Sequence, residues 1–218
     1  MERKRILCYG DSLTWGYDPQ TRVRFPEEYR WPMVMGKILG DGYQVIEEGQ
    51  NGRTIALEDP AEGEKNGLTY LLPCLESHSP FELLIIMLGS NDCKQKFMHA
   101  AMEIAGEMQI FLEKALSFDR FRCDDQFQIL LVAPPLIDES IKYSWLGENF
   151  GFEYAVEVSK KLAGWYKDLS ELYQVHFLNA ADYVKASEVD GAHLDAQGQV
   201  RLGEAIAKYV KENILLGN

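Results

Sequence analysis

Five short apolar runs constrain most strongly how this chain can fold. They lie at 5–9, 43–47, 83–88, 128–133 and 175–179, and three of them are almost entirely aliphatic. Continuous apolarity, in place of alternation, is typical of a strand that is covered on both faces. The segments between the runs carry apolar residues at helical spacing. This alternation predicts an α/β fold, a three-layer α/β/α sandwich with a five-stranded parallel sheet and right-handed crossovers.

The helices are located by apolar spacing and by residue types that begin or end helices. Pro32 suits a first helical turn, Asp195 suits an N-cap, and Gly40 to Gly42 suits a helix end. The helices are expected from about Pro32 to Gly40, within 71–80, over Met98 to Ala115, over about 152–173, and after Asp195.

Two segments read as loops, at 58–67 and at 134–151. The second contains Tyr143, Trp145 and Phe150. Aromatic rings in a loop line a pocket, pack on a neighbouring subunit or cover a local hydrophobic cluster, and local packing is the expectation for any single ring.

Composition predicts one globular domain over 1–218 and excludes several classes of partner. The formal net charge of −12 disfavours binding to nucleic acid, which depends on clustered Lys and Arg. The N-terminal "MERKRILCYG" lacks the apolar core of a signal peptide, and no apolar stretch is long enough to span a membrane. We therefore expect a cytoplasmic protein with no membrane or nucleic-acid partner.

The four cysteines predict neither a disulfide framework nor a zinc site. Cys8, Cys74, Cys93 and Cys123 fall singly, with no C-x-x-C pair and no His at a zinc-motif spacing. They are interpreted as buried free thiols. Nothing in the sequence calls for a metal or an organic cofactor.

Polar residues gather where the predicted strands end. The first strand runs into Gly10-Asp11-Ser12, the second into "EEGQNGRT", the third into "GSND", and the last is followed by "DGAHLD". In an open parallel sheet, ligands bind beyond the carboxyl ends of the strands. The strand exits are therefore the predicted site.

Ser12, His193 and Asp190 are the candidates for nucleophilic chemistry. A serine hydroxyl needs a base to take its proton, and a base needs a group to orient it. His193 lies in a glycine-containing turn with Asp190 three residues earlier, whereas His78, His99 and His176 fall in or beside helices and a strand. The alternative for this stretch is that Asp11 or Ser12 only caps a helix beginning near Leu13.

Three donors are candidates for an oxyanion hole. The backbone N–H groups of Ser12 and Gly52 and the side-chain amide of Asn91 follow strands, where they could stabilise negative charge on a carbonyl oxygen. A tight turn at Gly52 and a local cap at Asn91 are the alternatives.

Together these segments resemble the four sequence blocks of the GDSL/SGNH hydrolases, and most closely their arylesterase and acyltransferase branch. The blocks are "GDSLTWG", the "EEGQNGRT" that holds Gly52, "GSND" and "DGAH", in order and nearly end to end. The resemblance implies a flavodoxin-like sandwich that hydrolyses esters through an acyl-serine intermediate. It assigns Ser12 as nucleophile, His193 as base and acid, Asp190 as orienting carboxylate, and Ser12, Gly52 and Asn91 as oxyanion donors.

The resemblance also implies finer properties. Asp11, Trp15 and Asn51 are expected to contact the substrate, a small-molecule ester with a short acyl group. Acyl transfer to alcohols and a homo-oligomer are further expectations, although Gly52 is the residue of an ordinary hydrolase at a position where acyltransferases can carry another small residue.

Three alternative functions stay open from the sequence. A carbohydrate O-deacetylase would use the same catalytic residues on a sugar acetate. A thioesterase or lysophospholipase would need an extended apolar groove. A non-catalytic flavodoxin-like binding module is disfavoured because neither a G-x-G-x-x-G nor a G-x-x-x-x-G-K-[ST] motif is present.

Overall fold

The computed structural model describes residues 3–122 and 127–214 and contains the five-stranded parallel sheet predicted from the sequence. The strand order is β2-β1-β3-β4-β5, and every neighbouring pair is parallel. The strands are β1 (Lys4–Gly10), β2 (Tyr43–Gly49), β3 (Leu83–Met87), β4 (Gln128–Ala133) and β5 (His176–Asn179).

Helices cover both faces of this sheet and complete the three layers. They are α1 (Ser12–Trp15), α2 (Trp31–Leu39), α3 (Gly67–His78), α4 (Ala101–Arg122), α5 (Gly147–Phe150), α6 (Glu153–Tyr173) and α7 (Ala196–Asn213). On one face α2 packs against α7, and on the other α6 packs against α4, which also contacts α3.

Strand β1 shows how one sequence serves two cores. Ile6 and Cys8 are buried in the cluster beneath α2 and α7, whereas Leu7 and Tyr9 are buried in the cluster beneath α3, α4 and α6. Successive side chains of a strand point to opposite faces, so an unbroken apolar run fills both layers.

Residues that begin and end helices act largely as predicted. Asp195 caps α7 by accepting a hydrogen bond from the N–H of Gly198 at 2.6 Å, and Pro32 lies in the first turn of α2. Helix α3 begins earlier than expected because the side chain of Asn66 accepts from the N–H of Thr69 at 3.2 Å and starts the helix at Gly67.

Met98 was wrongly assigned to the helix that contains Ala115. It adopts a left-handed conformation with φ of 55°, its side chain is 68% exposed, and α4 begins only at Ala101. Its spacing matches the apolar stripe, but Met98 ends a short 3₁₀ turn, Gln95–Phe97, that precedes α4.

The aromatic residues of the 134–151 loop differ in burial. Phe150 belongs to the core and is 4% exposed, whereas Trp145 is 52% and Tyr143 is 92% exposed. Local packing therefore accounts for one ring of the three.

Cys8, Cys74 and Cys93 are buried free thiols, as predicted, and Cys123 lies outside the described residues. In the part of the chain that the structure describes, no helix combines the length and the apolarity needed to cross a bilayer.

The strand order creates one point at which the chain changes direction across the sheet. From β1 the chain moves outward to β2 and then crosses to β3 on the other side of β1, so successive crossovers leave in opposite directions around β1 and β3. A crevice opens at such a point, beyond the carboxyl ends of the strands.

Candidate active site

Strand β1 ends at the same level as its neighbours, which brings the loops that follow them together. Gly10 lies opposite Gly49 of β2 and Met87 of β3. A Cβ atom at Gly10 would lie 2.1 Å from Oγ1 of Thr14, so only glycine permits the close turn into α1. That turn places Ser12 at the mouth of the crevice.

Ser12, His193 and Asp190 form a continuous chain of hydrogen bonds. Oγ of Ser12 lies 2.8 Å from Nε2 of His193, and Nδ1 of His193 lies 2.6 Å from Oδ2 of Asp190. When Nδ1 carries the proton and donates a hydrogen bond to Asp190, Nε2 is free to accept a hydrogen bond from the Ser12 hydroxyl. The structure thus brings together residues that are 181 positions apart.

Asp190 is fully buried yet held in its ionised form. Its Oδ1 accepts from the N–H groups of Ala192 at 3.0 Å and His193 at 2.9 Å. Burial raises the pKa of Asp190, but the hydrogen bonds and charge of His193 together with these N–H groups outweigh it, so the pKa lies below its usual value. A permanent carboxylate therefore faces the imidazole.

The three predicted oxyanion donors border one cavity. Within the described residues, the backbone N–H groups of Ser12 and Gly52 donate to no protein acceptor. Gly52 has φ of 80°, a conformation that favours glycine. Nδ2 of Asn91 donates to the carbonyl of Arg53 at 3.1 Å and makes a longer contact with Oδ2 of Asp11 at 3.4 Å, and these two contacts fix the orientation of the amide beside Ser12.

This cavity has a volume of about 340 Å³. Leu13, Leu146 and Phe150 give it apolar walls, and Asn51 adds a buried amide oxygen without a partner among the described residues. The space suits a small substrate with an apolar acyl group and a few polar contacts.

Of the three residues expected to contact substrate, only Asn51 lines the cavity. Asp11 is fully buried beneath it, where Oδ1 accepts from the N–H of Leu13 at 2.9 Å and holds the turn. Trp15 points elsewhere, against the guanidinium of Arg24, and Tyr17 lines the cavity instead with its ring 4.4 Å from that of His193. Nothing in the sequence indicated that Tyr17, two residues after Trp15, would be the aromatic residue that lines the cavity.

The carboxyl of Asp11 carries an altered proton affinity. Burial raises the pKa of Asp11 to about 6, although the Leu13 N–H and the charges of His193, Arg53 and Lys94 act in the opposite direction. Near neutral pH this group is an ionised acid directly below Ser12.

Arg53 was not singled out from the sequence, and it joins the ends of two strands. Its guanidinium donates to the carbonyl of Gly10 at 2.8 Å and to the carbonyl of Glu48, and it stacks over the ring of Tyr9 at 4.3 Å. Because Arg53 follows Gly52 directly, these contacts fix the Gly52 N–H relative to Ser12.

Asp92 was also missed, and it connects the two segments that carry Gly52 and Asn91, two of the candidate oxyanion donors. Its Oδ1 accepts from the N–H of Ile55 at 2.9 Å, which ties the segment after Gly52 to the turn that holds Asn91. Burial raises the pKa of Asp92 well above its usual value, and the neighbouring carboxyl of Glu107 raises it further. The signal in the sequence was only that an acid follows Asn91.

The loop at 58–67 is anchored over the cavity by buried charges. Nζ of Lys94, 3% exposed, lies 2.6 Å from Oε1 of Glu62, and Lys96 forms an ion pair with the buried Asp59. Glu62 lies against Gly52, where an added Cβ would lie 2.4 Å from Oε2. The polar composition of the loop predicted its position on the surface but not this anchor.

The fold and the site define a hydrolase class in which a serine, presented after the first strand of a parallel sheet, is paired with a histidine and an aspartate from the end of the domain. Residues 8–205 match the model of the GDSL-like lipase/acylhydrolase family. The chain belongs to this family, as its sequence blocks suggested, and the domain is a carboxylic ester hydrolase.

Solved structures share both fold and length with this chain. Est24, a carbohydrate acetylesterase from Sinorhizobium meliloti, is 40% identical with a TM-score of 0.89, covering 96% of this chain and 99% of that one. The aryl esterase of M. smegmatis is 34% identical with a TM-score of 0.89, covering 95% and 98%. These similarities confirm the predicted fold class.

A curated relative extends well beyond the matched region. The acetylxylan esterase of Xylanibacter ruminicola is 24% identical over 225 residues, a match that covers 95% of this chain and 43% of the relative. The chain thus spans about two fifths of that protein's length.

Proposed function

We propose that the protein hydrolyses short-chain, acetyl-type esters through an acyl-serine intermediate. The observation that carries this proposal is the hydrogen-bonded chain from Ser12 through His193 to Asp190, at 2.8 and 2.6 Å, beside three candidate oxyanion donors that border the same cavity. The apolar walls at Leu13 and Phe150 leave room for a small acyl group.

The geometry supports a two-step reaction. His193 takes the proton of Ser12 as Oγ attacks the ester carbonyl, and the N–H groups of Ser12 and Gly52 and the amide of Asn91 stabilise the oxyanion. His193 then gives the proton to the departing alcohol. In the second step water, deprotonated by His193, attacks the acyl-serine, and the proton returns to Oγ as the acid leaves. Asp190 stabilises the imidazolium in both steps.

Burst kinetics with 4-nitrophenyl acetate test this proposal. The expected result is a rapid release of about one equivalent of nitrophenol per site, followed by slower turnover, with both lost in Ser12→Ala. Thermal unfolding of the variant checks that it is folded. Turnover that persists in folded Ser12→Ala would remove Ser12 from the mechanism.

Acyl transfer to alcohols is the finer part of the same proposal. An alcohol can take the place of water in the attack on the acyl-serine. The only indication of which route dominates is Gly52, which by resemblance to the family favours hydrolysis over acyl transfer. The ratio of ester to acid formed with an added primary alcohol measures the partition between the two routes.

A sugar acetate is the second candidate substrate, supported by the lining of the cavity. Asn51 and Ser90 line the cavity, and Oδ1 of Asn51 and Oγ of Ser90 are buried atoms without a hydrogen-bond partner among the described residues, so a rotation of either side chain toward the cavity would let it bind a substrate hydroxyl. The rings of Tyr17 and the half-exposed Trp145 line the same cavity and suit stacking on a sugar face.

The two substrate classes are separated by a matched pair of variants. For a deacetylase, Trp145→Ala lowers kcat/KM toward acetylated sugars and leaves kcat/KM for 4-nitrophenyl acetate nearly unchanged. Tyr143→Ala, at an exposed ring that does not line the cavity, serves as the control. Equal losses for both substrates would favour a simple aryl or alkyl esterase.

We also propose that the protein forms a homo-oligomer, as the resemblance implies. Two exposed rings of the 134–151 loop, Tyr143 and Trp145, support a contact between copies. Light scattering on the purified protein distinguishes an oligomer from a monomer.

A further inference from the structure

A cluster of three different metal-binding side chains lies outside the candidate active site. Glu48 at the end of β2 and Cys74 and His78 on α3 place one donor atom each within 4.8 Å of one another. Cys74 and His78 are four residues apart, so they share one face of the helix. The sequence predicts no metal site because it contains no paired cysteines and no histidine at a zinc-motif spacing, and the third donor of this cluster comes from a distant strand.

The cluster is already partly organised. Nε2 of His78 lies 2.7 Å from Oε1 of Glu48, and the hydroxyl of Tyr70, one turn before Cys74, interacts with both Glu48 and Cys74. The side chains of Glu48 and His78 are about one-fifth exposed, and Cys74 is buried behind them. The polar groups are therefore held at one point and face partly outward.

We propose that Glu48, Cys74 and His78 bind a zinc ion. Carboxylate, thiolate and imidazole are the three donor types that Zn²⁺ accepts in proteins, at about 2.0–2.3 Å. Two donors on one tetrahedral ion are separated by about 3.3–3.7 Å. The donor atoms here lie from 2.7 Å to at most 4.8 Å apart, so side-chain shifts of about 1 Å bring them to that spacing. Thiolate and imidazole ligands together select against Mg²⁺ and Ca²⁺, which prefer oxygen.

Charge and access are consistent with a divalent ion. A carboxylate and a thiolate balance the two positive charges of Zn²⁺, and the thiol proton leaves to solvent as the metal–sulfur bond forms. Glu48 and Tyr70 also line a surface cleft of about 720 Å³, through which a hydrated ion can approach and where water can complete the coordination.

Cobalt(II), which reports its ligands by absorption, is the probe for this site. The protein is expected to bind one equivalent of Co²⁺ with tetrahedral d–d bands in the visible and a thiolate charge-transfer band in the near ultraviolet, and Zn²⁺ should displace it. The charge-transfer band should disappear in Cys74→Ser, and the affinity should fall at least tenfold in His78→Gln.

Matched variants keep the test independent of folding and of catalysis. Cys8→Ser changes a buried thiol in the core cluster on the other face of the sheet from Cys74, and His176→Gln changes a histidine of β5 that contacts Gln128 at 2.7 Å. Both should retain the band and the affinity. His78 is at the surface, so His78→Gln remains informative if Cys74→Ser does not fold.

With the native protein, the proposal is overturned if Co²⁺ does not bind measurably or if its complex lacks the charge-transfer band. With the variants, it is overturned if the band survives in Cys74→Ser or if the affinity for Co²⁺ is unchanged in His78→Gln. None of these readouts uses ester hydrolysis, so the metal site and the proposed esterase activity stand or fall separately.

Discussion

Asn91 is the residue whose change most directly tests charge stabilisation at the site. Its amide is oriented by the carbonyl of Arg53 and borders the cavity beside Ser12. Asn91→Ala removes one of three donors and should lower kcat roughly 10²- to 10³-fold, with little change in KM, because the contact strengthens only in the transition state. Steady-state kinetics on 4-nitrophenyl acetate measure both constants. An effect confined to KM would assign Asn91 to substrate binding.

Asp11 makes stability depend on pH. Its pKa is raised from 3.8 to about 6 in the folded state, so the folded state binds this proton more tightly than the unfolded state does. The group therefore favours folding below about pH 4, and this contribution is lost as the pH rises through 6. The difference corresponds to about 3 kcal/mol.

The Asp11→Asn variant isolates that contribution. Asparagine retains an oxygen that can accept from Leu13 but does not ionise. Between pH 4 and pH 7 the native protein loses this contribution and the variant does not, so the free energy of unfolding of Asp11→Asn should rise relative to that of the native protein, as measured by urea denaturation across that range. A difference that stays constant with pH would contradict the buried, ionising carboxyl.

Single residues show where sequence reasoning succeeds and where it stops. Ser12, His193 and Asp190 could be selected because each follows a strand in a short, chemically recognisable string. Tyr17 and Arg53 could not, since their contribution depends on which way a side chain turns after the strand ends. Trp15 lay in the recognised string and yet packs away from the cavity.

Among the elements, the strands were predicted within one or two residues because their apolar runs are buried on both sheet faces. Helix α3 was less predictable, since a capping asparagine extends it and Pro73 lies inside it. The ion pairs that hold the 58–67 loop come from residues far along the chain, and local composition cannot reveal them.

Asp92 is a positioning residue, because its hydrogen bond to Ile55 connects the segment after β2 with the turn after β3. Asp92→Ala leaves the buried N–H of Ile55 without its acceptor and frees the Gly52 segment from the Asn91 turn. We expect kcat to fall roughly 10- to 100-fold, since misplacing a reacting group by about 1 Å has this order of effect, and KM to change little.

Asp92→Asn is the matched control for this prediction. Its amide oxygen can accept from Ile55, and its amide group is uncharged beside Glu107, as the protonated acid is. Activity near the native level is expected in this variant. An equal loss of kcat in Asp92→Ala and Asp92→Asn would mean that Asp92 does not act by positioning the Gly52 segment.

For the whole molecule, acidic side chains outnumber basic ones by 34 to 22, and this imbalance affects how readily charged esters reach the site. A net charge of −12 repels an anionic substrate before it contacts the cavity. The kcat/KM for 4-acetoxybenzoate should therefore rise roughly two- to fivefold as salt screens the field between low ionic strength and 0.5 M.

Neutral 4-nitrophenyl acetate is the control for this measurement, and its kcat/KM should change little with salt. A fall in kcat/KM for the anionic ester would show that local positive groups such as Lys65, which lines the cavity, outweigh the overall charge.

The distance along the chain between Ser12 and His193 has a consequence for biosynthesis. At about 5–20 residues per second, His193 leaves the ribosome about 10–40 s after Ser12 does. On the proposed mechanism, a nascent chain that displays the serine without its histidine cannot attack cellular esters. The first molecule of ester cleaved would then report that synthesis has passed the loop after β5 and that the sheet has assembled.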